Sequence, residues 1–292
     1  MLRHPELLQQ EPPMHKTLVR TAIVTIGLAL AAAVQAGSGG TIDAQAQAAL
    51  EQAVANPARS EKNRARDVYR HPVQTLEFFG IRPTDTVVEI WPGGGWYTEI
   101  LAPYLAARGR LIAAAPAGKG SESLAKRLDA DPALFGKVER ANFPTVLGGT
   151  GVAPGTADAV LTFRNVHNWG MGYQHPERKP YSEEAFAELF AMLKPGGVLG
   201  IEDHRLPEDA SAEREKSSGY IKVSTVRALA EKAGFHFVAA SEVNANPKDT
   251  TDWEKGVWTL PPTFALGDTD RAKYEAIGES DRMTLKFIKP EK

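Results

Sequence analysis

"VVEIWPGGGWYTEIL", Val87 to Leu101, carries an apolar run into Glu89 and then into three consecutive glycines framed by Trp91 and Trp96. The run has the length and branched side chains of a buried strand, and "YTEILAPYLA" after the glycines has the period of a helix. Glycine costs conformational entropy wherever it stands. Three of them between a strand and a helix therefore serve either a tight structural turn or a main chain that passes close beneath a bound small molecule. The triplet alone leaves both readings open.

Outward from this stretch, strand and helix patterns alternate. Before it, Asn63 to Phe79 reads as a helix interrupted near Pro72, with Gly80 as its stop. After it come the strand "GRLIAAA", the helix "SESLAKRLDA", the weaker strand "KVERANF" and the strongly apolar strand "ADAVLTF". "SEEAFAELFAML" is a helix with Phe186, Leu189, Phe190 and Leu193 on its apolar face and Ser182 as its expected cap. "KPGG" turns into the strand "VLGIED". Ser224 is the expected cap of "TVRALAEKA", which Gly234 ends, and the strands "FHFVAASEV" and "RMTLKFIK" follow. This alternation predicts an α/β domain, a Rossmann-like doubly wound and mostly parallel sheet, over residues 63–292. The final strand follows its predecessor without a long helix and is expected as an antiparallel edge. In such a sheet ligands sit at the carboxyl ends of the strands, where the strand order reverses.

The chain of 292 residues carries a net charge of −2 and no basic excess, so no nucleic-acid footprint is visible. It has no cysteine, which removes disulfides, thiolate catalysis and thiolate metal sites together. Residues 1–36 read as a signal peptide: a basic head (His15, Lys16, Arg20), an apolar run, then Val34-Gln35-Ala36 before Gly37. The run is shorter than a membrane span, so cleavage and an exported chain with no stable anchor are expected. The layout begins at Met14, as though that were the true start. Residues 37–62 read as a linker and a short helix.

Taken together, the motifs resemble the class I S-adenosylmethionine-dependent methyltransferases. "VVEIWPGGG" is similar to that family's motif I, with Glu89, Gly93 and Gly95 matching and Trp91 in the first glycine's place. "ADAVLTFRNVHNW", "LFAMLKPGGVLGIEDHR" and "LAEKAGFHFVAASEV" resemble its fourth, fifth and sixth strand units, in order. More narrowly, "YRHP", "RNVHNW", "VWTLPP" and "AIGESDRMTLKF" resemble a bacterial group of exported methyltransferases. The resemblance implies S-adenosylmethionine as cofactor, held by Glu89, Trp91, Gly93, Gly94, Gly95, Tyr97, Asn142, Arg164 and Asn165, and a small-molecule methyl acceptor. In the family an acid closing the second strand usually holds the ribose hydroxyls; here Ala115 stands there, and Asn142 stands where an acid often meets the adenine. A nicotinamide fingerprint fits less well, because Thr98 replaces its third glycine and the second strand ends without an acid.

Groups able to move a proton stand at strand ends. His167 follows the fourth strand, and Asp203 and His204 end the fifth. These three are the catalytic candidates, beside the plainer reading of each histidine as a hydrogen-bonded structural residue. No metal site is expected, since neighbours on a strand point to opposite faces and Glu202 and Asp203 would not converge. Two long segments, "NWGMGYQHPERKPY" and "NPKDTTDWEKGVWTLPP", read as covers or as edge packing, and the charged run "NRARDVYRHP", with Arg66 and Arg70, reads by default as a solvated helix and alternatively as a segment folded over the same mouth. Two functions stand: a methyltransferase, or an exported ligand-binding protein on the same fold that transfers no methyl group.

Overall fold

The computed structural model describes residues 42–291; the signal-peptide reading lies outside them. Eight strands form the sheet: β1 (Thr86–Ile90), β2 (Arg110–Ala115), β3 (Glu139–Asn142), β4 (Ala157–Phe163), β5 (Leu193–Leu206), β6 (Ile221–Lys222), β7 (His236–Ser241) and β8 (Arg282–Ile288). Their order is β3-β2-β1-β4-β5-β8-β7, with β6 on the far end of β5. The pairs among β1 to β5 are parallel, and β8 is antiparallel to both neighbours.

Alternation along the strands splits the core in two. Val88, Ile90, Leu199 and Ile201 face Phe186, Leu189, Val226 and Ala230 on one side. Val87, Leu161 and Val198 face Leu76, Phe79, Ile100 and Leu101 on the other. Both faces are covered, which is why the central strands read as continuous apolar runs rather than alternating ones. The helix Ala44–Val54 belongs to the second layer: Leu50 is fully buried and Ala53 nearly so. Among the described residues no helix is long and apolar enough to cross a membrane.

Three local expectations need correction. The last strand is antiparallel as expected, but it is inserted between β5 and β7, and β7 is the edge. Six of the seven β8 residues are buried, whereas β7 alternates exposed with half-buried positions. Ser224 does not cap its helix; it lies inside Val223–Lys232, and its amide and hydroxyl both donate to the carboxylate of Glu208, 3.0 and 2.5 Å away. Ser182 is likewise the first helical residue, after Tyr181. The predicted helix over Asn63 to Phe79 is three short ones, Glu61–Arg64, Asp67–Arg70 and Pro72–Phe79, with His71 left-handed at φ 39° before Pro72. That break turns Arg66 and Arg70 back toward the sheet.

Candidate functional site

The strand order reverses between β1 and β4, so a crevice opens at their carboxyl ends. Glu89 is buried there, and the hydroxyl of Thr98 donates to it at 2.7 Å. Burial pushes its carboxyl up to about 7, against the opposing pull of Thr98 and Arg164. Trp91 follows at φ 48°, the left-handed conformation in which the resemblance places a glycine. The turn then closes through the Gly95 amide, which donates to the Pro92 carbonyl at 2.8 Å.

The three glycines do different work. A Cβ on Gly95 would lie 2.9 Å from Nε of Arg127, whose guanidinium pairs with buried Glu99; Gly95 also holds φ 78°. That glycine is explained by packing. Gly93 holds φ 56° with almost nothing over it, and a Cβ on Gly94 would meet no atom within 4 Å. Open space, not protein, lies above those two.

That space is a cavity of about 210 Å³, lined by Glu89, Trp91, Gly93, Gly94, Tyr97, Arg164 and Asn165 among others. Seven of the nine residues that the resemblance assigns to the cofactor thus meet at one place. Tyr97 forms its floor, stacked on Phe163 with ring centres 3.5 Å apart, its hydroxyl donating to Glu202 at 3.2 Å. The Asn165 amide donates to the Ile90 carbonyl and to Thr162, tying β1 to β4. Gly95 faces Arg127, and Asn142 lines a separate cavity of about 430 Å³ beside β3. There the side-chain Oδ1 of Asn142 accepts from the Thr150 backbone amide at 3.0 Å and holds the glycine-rich loop that follows.

Trp91 lies across the track between these two cavities. Its indole N–H donates to the Phe143 carbonyl at 2.7 Å, and its ring meets Trp169 edge-on with centres 6.2 Å apart. Because β2 lies between β1 and β3, an indole that reaches from the end of β1 to Phe143, just past β3, crosses the carboxyl end of β2. Trp96 points the other way and is buried, with Arg70 over its ring.

A second cavity, about 300 Å³, opens beside the first and shares Arg66, Arg70 and Arg164 with it. His167 and His204 line it, with Asp203 fully buried behind them. Nδ1 of His167 donates to Asp203 Oδ1 at 2.7 Å, and the backbone amides of His167 and His204 donate to the same carboxylate. This fixes the ring so that a neutral His167 presents its Nε2 lone pair. His204 lies with its ring centre 5.1 Å from that of His167 and bonds Ser280 through Nδ1. Burial, with further pressure from His167 and from Arg164, Arg282 and Arg70, holds its pKa well below the ordinary value, so it is neutral.

All three catalytic candidates therefore come together, their ligating atoms within 4.8 Å of one another. Glu202 does not join them. Its carboxylate takes Arg282 at 2.9 Å and Arg164 at 3.4 Å instead. The run with Arg66 and Arg70 does fold over this mouth, against its default reading as a solvated helix; sequence reasoning missed Arg282 and Glu279, and that Arg66, Arg70 and Arg282 converge on Glu279, at 2.6, 2.9 and 2.6 Å. The available signal was the spacing of Arg66 and Arg70, four apart and so on one helical face. Of the two long segments, the second supplies cover, since Val257, Trp258, Pro261 and Pro262 wall the cavity.

No protein-family model and no curated protein matches the sequence. Solved structures do match in fold. An S-adenosylmethionine-dependent methyltransferase from Aquifex aeolicus superposes with TM-score 0.50 at 16% identity, covering 83% of this chain and 98% of that one. A putative sarcosine dimethylglycine methyltransferase from Galdieria sulphuraria gives 0.53 at 13% identity, over 79% and 88%. The [4+2]-cyclase SpnF gives 0.52 at 13% identity, over 84% and 93%, so a similar framework also carries a protein named for another reaction. At such identities the likeness is one of architecture: this chain has the Rossmann-like fold of the class I S-adenosylmethionine-dependent methyltransferases.

Proposed function

We propose that the protein is an S-adenosylmethionine-dependent methyltransferase acting on a small molecule, exported through its amino-terminal signal. The observation that carries this reading is the turn from Glu89 to Gly94 at the point of strand reversal, with bare main chain under open space. Glu89 and the backbone at Gly93 and Gly94 suit the charged amino-acid end of such a cofactor. The cofactor, when bound, supplies an electrophilic methyl group. The chain's own residues then have modest tasks, because methyl transfer chiefly needs alignment and exclusion of water. Trp258 and the two prolines close the acceptor's cavity, and His167, oriented by Asp203, takes a proton from the acceptor at Nε2 if it carries one.

Calorimetric titration with S-adenosylmethionine and with S-adenosylhomocysteine tests the reading. Binding of either supports it; no heat and no thermal shift with both removes it. Cell fractionation tests export separately, and full-length protein confined to the cytosol would count against that part.

One observation favours a second reading, a ligand-binding protein that transfers no methyl group. The Trp91 indole crosses the path the nucleoside would take, and Ala115 offers the ribose no acid. A charged cofactor would also need its own route out of the cytosol. Mass spectrometry of small molecules that copurify from the exported fraction separates the two, since recovery of S-adenosylhomocysteine excludes the second.

A further inference from the structure

The cavity beside the histidines is lined by more cationic donors than its protein partners satisfy. Arg66, Arg70, Arg164 and Arg282 cluster there, and the carboxylates touching them are Glu202 and Glu279. Arg70 is 2% exposed, yet its Nη1 takes no hydrogen-bond partner among the described residues. A buried guanidinium N–H left unpaired is costly, and native structures rarely keep one without a reason. Arg164 is held to Glu202 only by a long 3.4 Å contact, from a backbone at φ 62°. Burial, and the nearby charge of Arg164, bring the Arg70 pKa down to about 9, against the opposing pull of Glu279. The same charges disfavour a divalent cation at His167, Asp203 and His204, although those three converge. Trp258, Pro261 and Pro262 line the same cavity and give it apolar surface.

We infer that the acceptor is a small organic acid, its carboxylate bound by Arg66, Arg70 and Arg164 and its apolar body lying against Trp258. This rests on the methyltransferase reading for the word acceptor, but the anion site itself does not. The bidentate fork of a guanidinium matches a carboxylate. An acid seated there would place its body beside His167 and His204, so the same cavity would hold the anchor and the base.

Calorimetry on the purified chain tests it with benzoate and phenylacetate, each against its neutral amide, at two salt concentrations. At least one acid is expected to bind ten-fold or more tightly than its amide, and to weaken as salt rises. Arg164→Gln, at a partly exposed and weakly paired position, is expected to remove about ten-fold of that affinity without lowering the melting temperature, while Arg164→Lys keeps part of it. Equal binding of acid and amide, or no binding by either acid, overturns the proposal. Saturating S-adenosylhomocysteine separates the remaining source of a carboxylate, the cofactor itself. If it excludes the acid, the arginines serve the cofactor and the assignment to the acceptor falls; if both bind together, the assignment is supported. Should S-adenosylhomocysteine fail to bind while the acid binds through Arg164, the methyltransferase reading is lost and the anion site survives.

Discussion

Glu89 shows how one side chain sets a pH dependence. It is buried, and burial raises its carboxyl from an ordinary value of 4.5 to about 7, with the Thr98 hydroxyl and Arg164 pulling the other way. A carboxyl whose folded pKa is raised favours the folded state below its unfolded pKa, and that contribution is lost as pH rises toward 7. Glu89→Gln is therefore expected to stabilise the protein at pH 8 by up to about 3 kcal/mol and to change little at pH 4, as read by urea unfolding at both pH values. If the site takes a cationic amino group, the same variant binds S-adenosylmethionine more weakly. Trp91 offers the converse case. A left-handed tryptophan costs roughly 1–2 kcal/mol of backbone strain, and it persists because the indole bonds Phe143 and packs on Trp169. Trp91→Gly relieves that strain and clears the crossing over β2. Affinity for S-adenosylhomocysteine is expected to rise at least ten-fold in calorimetry, while unchanged affinity would mean that the indole is not in the nucleoside's way.

At the scale of the element, the strand–glycine–helix unit was legible because a buried strand, a break and a helix each leave their own period in the sequence. What could not be read was which glycine does what, since that depends on Arg127, more than thirty residues away on another helix. The structure separates them. Gly95→Ala forces a Cβ against Nε of Arg127 at φ 78° and is expected to cost about 1–3 kcal/mol in urea unfolding. Gly94→Ala meets nothing and is expected to shift stability by less than about 0.5 kcal/mol, yet to lower ligand affinity, because its methyl enters the cavity. The helix caps failed for a related reason. Ser224 has a cap's chemistry and position, but Glu208 from a distant segment satisfies the helix start instead.

Across the whole molecule, the mostly parallel, doubly wound sheet followed from alternation, and the histidine candidates followed from their places at strand ends. The insertion of β8 between β5 and β7 was less visible. A strand's neighbours are set by which faces other elements cover, and local pattern does not report that. What joins the arginine wall was hidden for the same reason: Arg70 and Glu279 are 209 residues apart and meet only in the folded state. Glu279 binds this wall together. Burial pushes its carboxyl up, but Arg70, Arg282 and Arg66 outweigh burial and hold it well below the carboxylate range. A depressed carboxyl contributes stability above its unfolded pKa and loses it as pH falls, so acid should loosen the mouth first. Glu279→Gln leaves three guanidinium groups short of a partner and is expected to cost about 3–5 kcal/mol, measured as a lower urea midpoint at pH 7.

The knot at Glu279 also dictates an order of events during synthesis. Arg66 and Arg70 leave the ribosome 213 and 209 residues before Glu279, the acid that pairs with both. A nascent chain that has completed β7 still holds Arg66 and Arg70 without Glu279, beside the edge of β5 that β8 will cover. The arginine side of the ligand mouth therefore waits on Glu279, and a chain halted after β7 would have most of a sheet and an unfinished mouth.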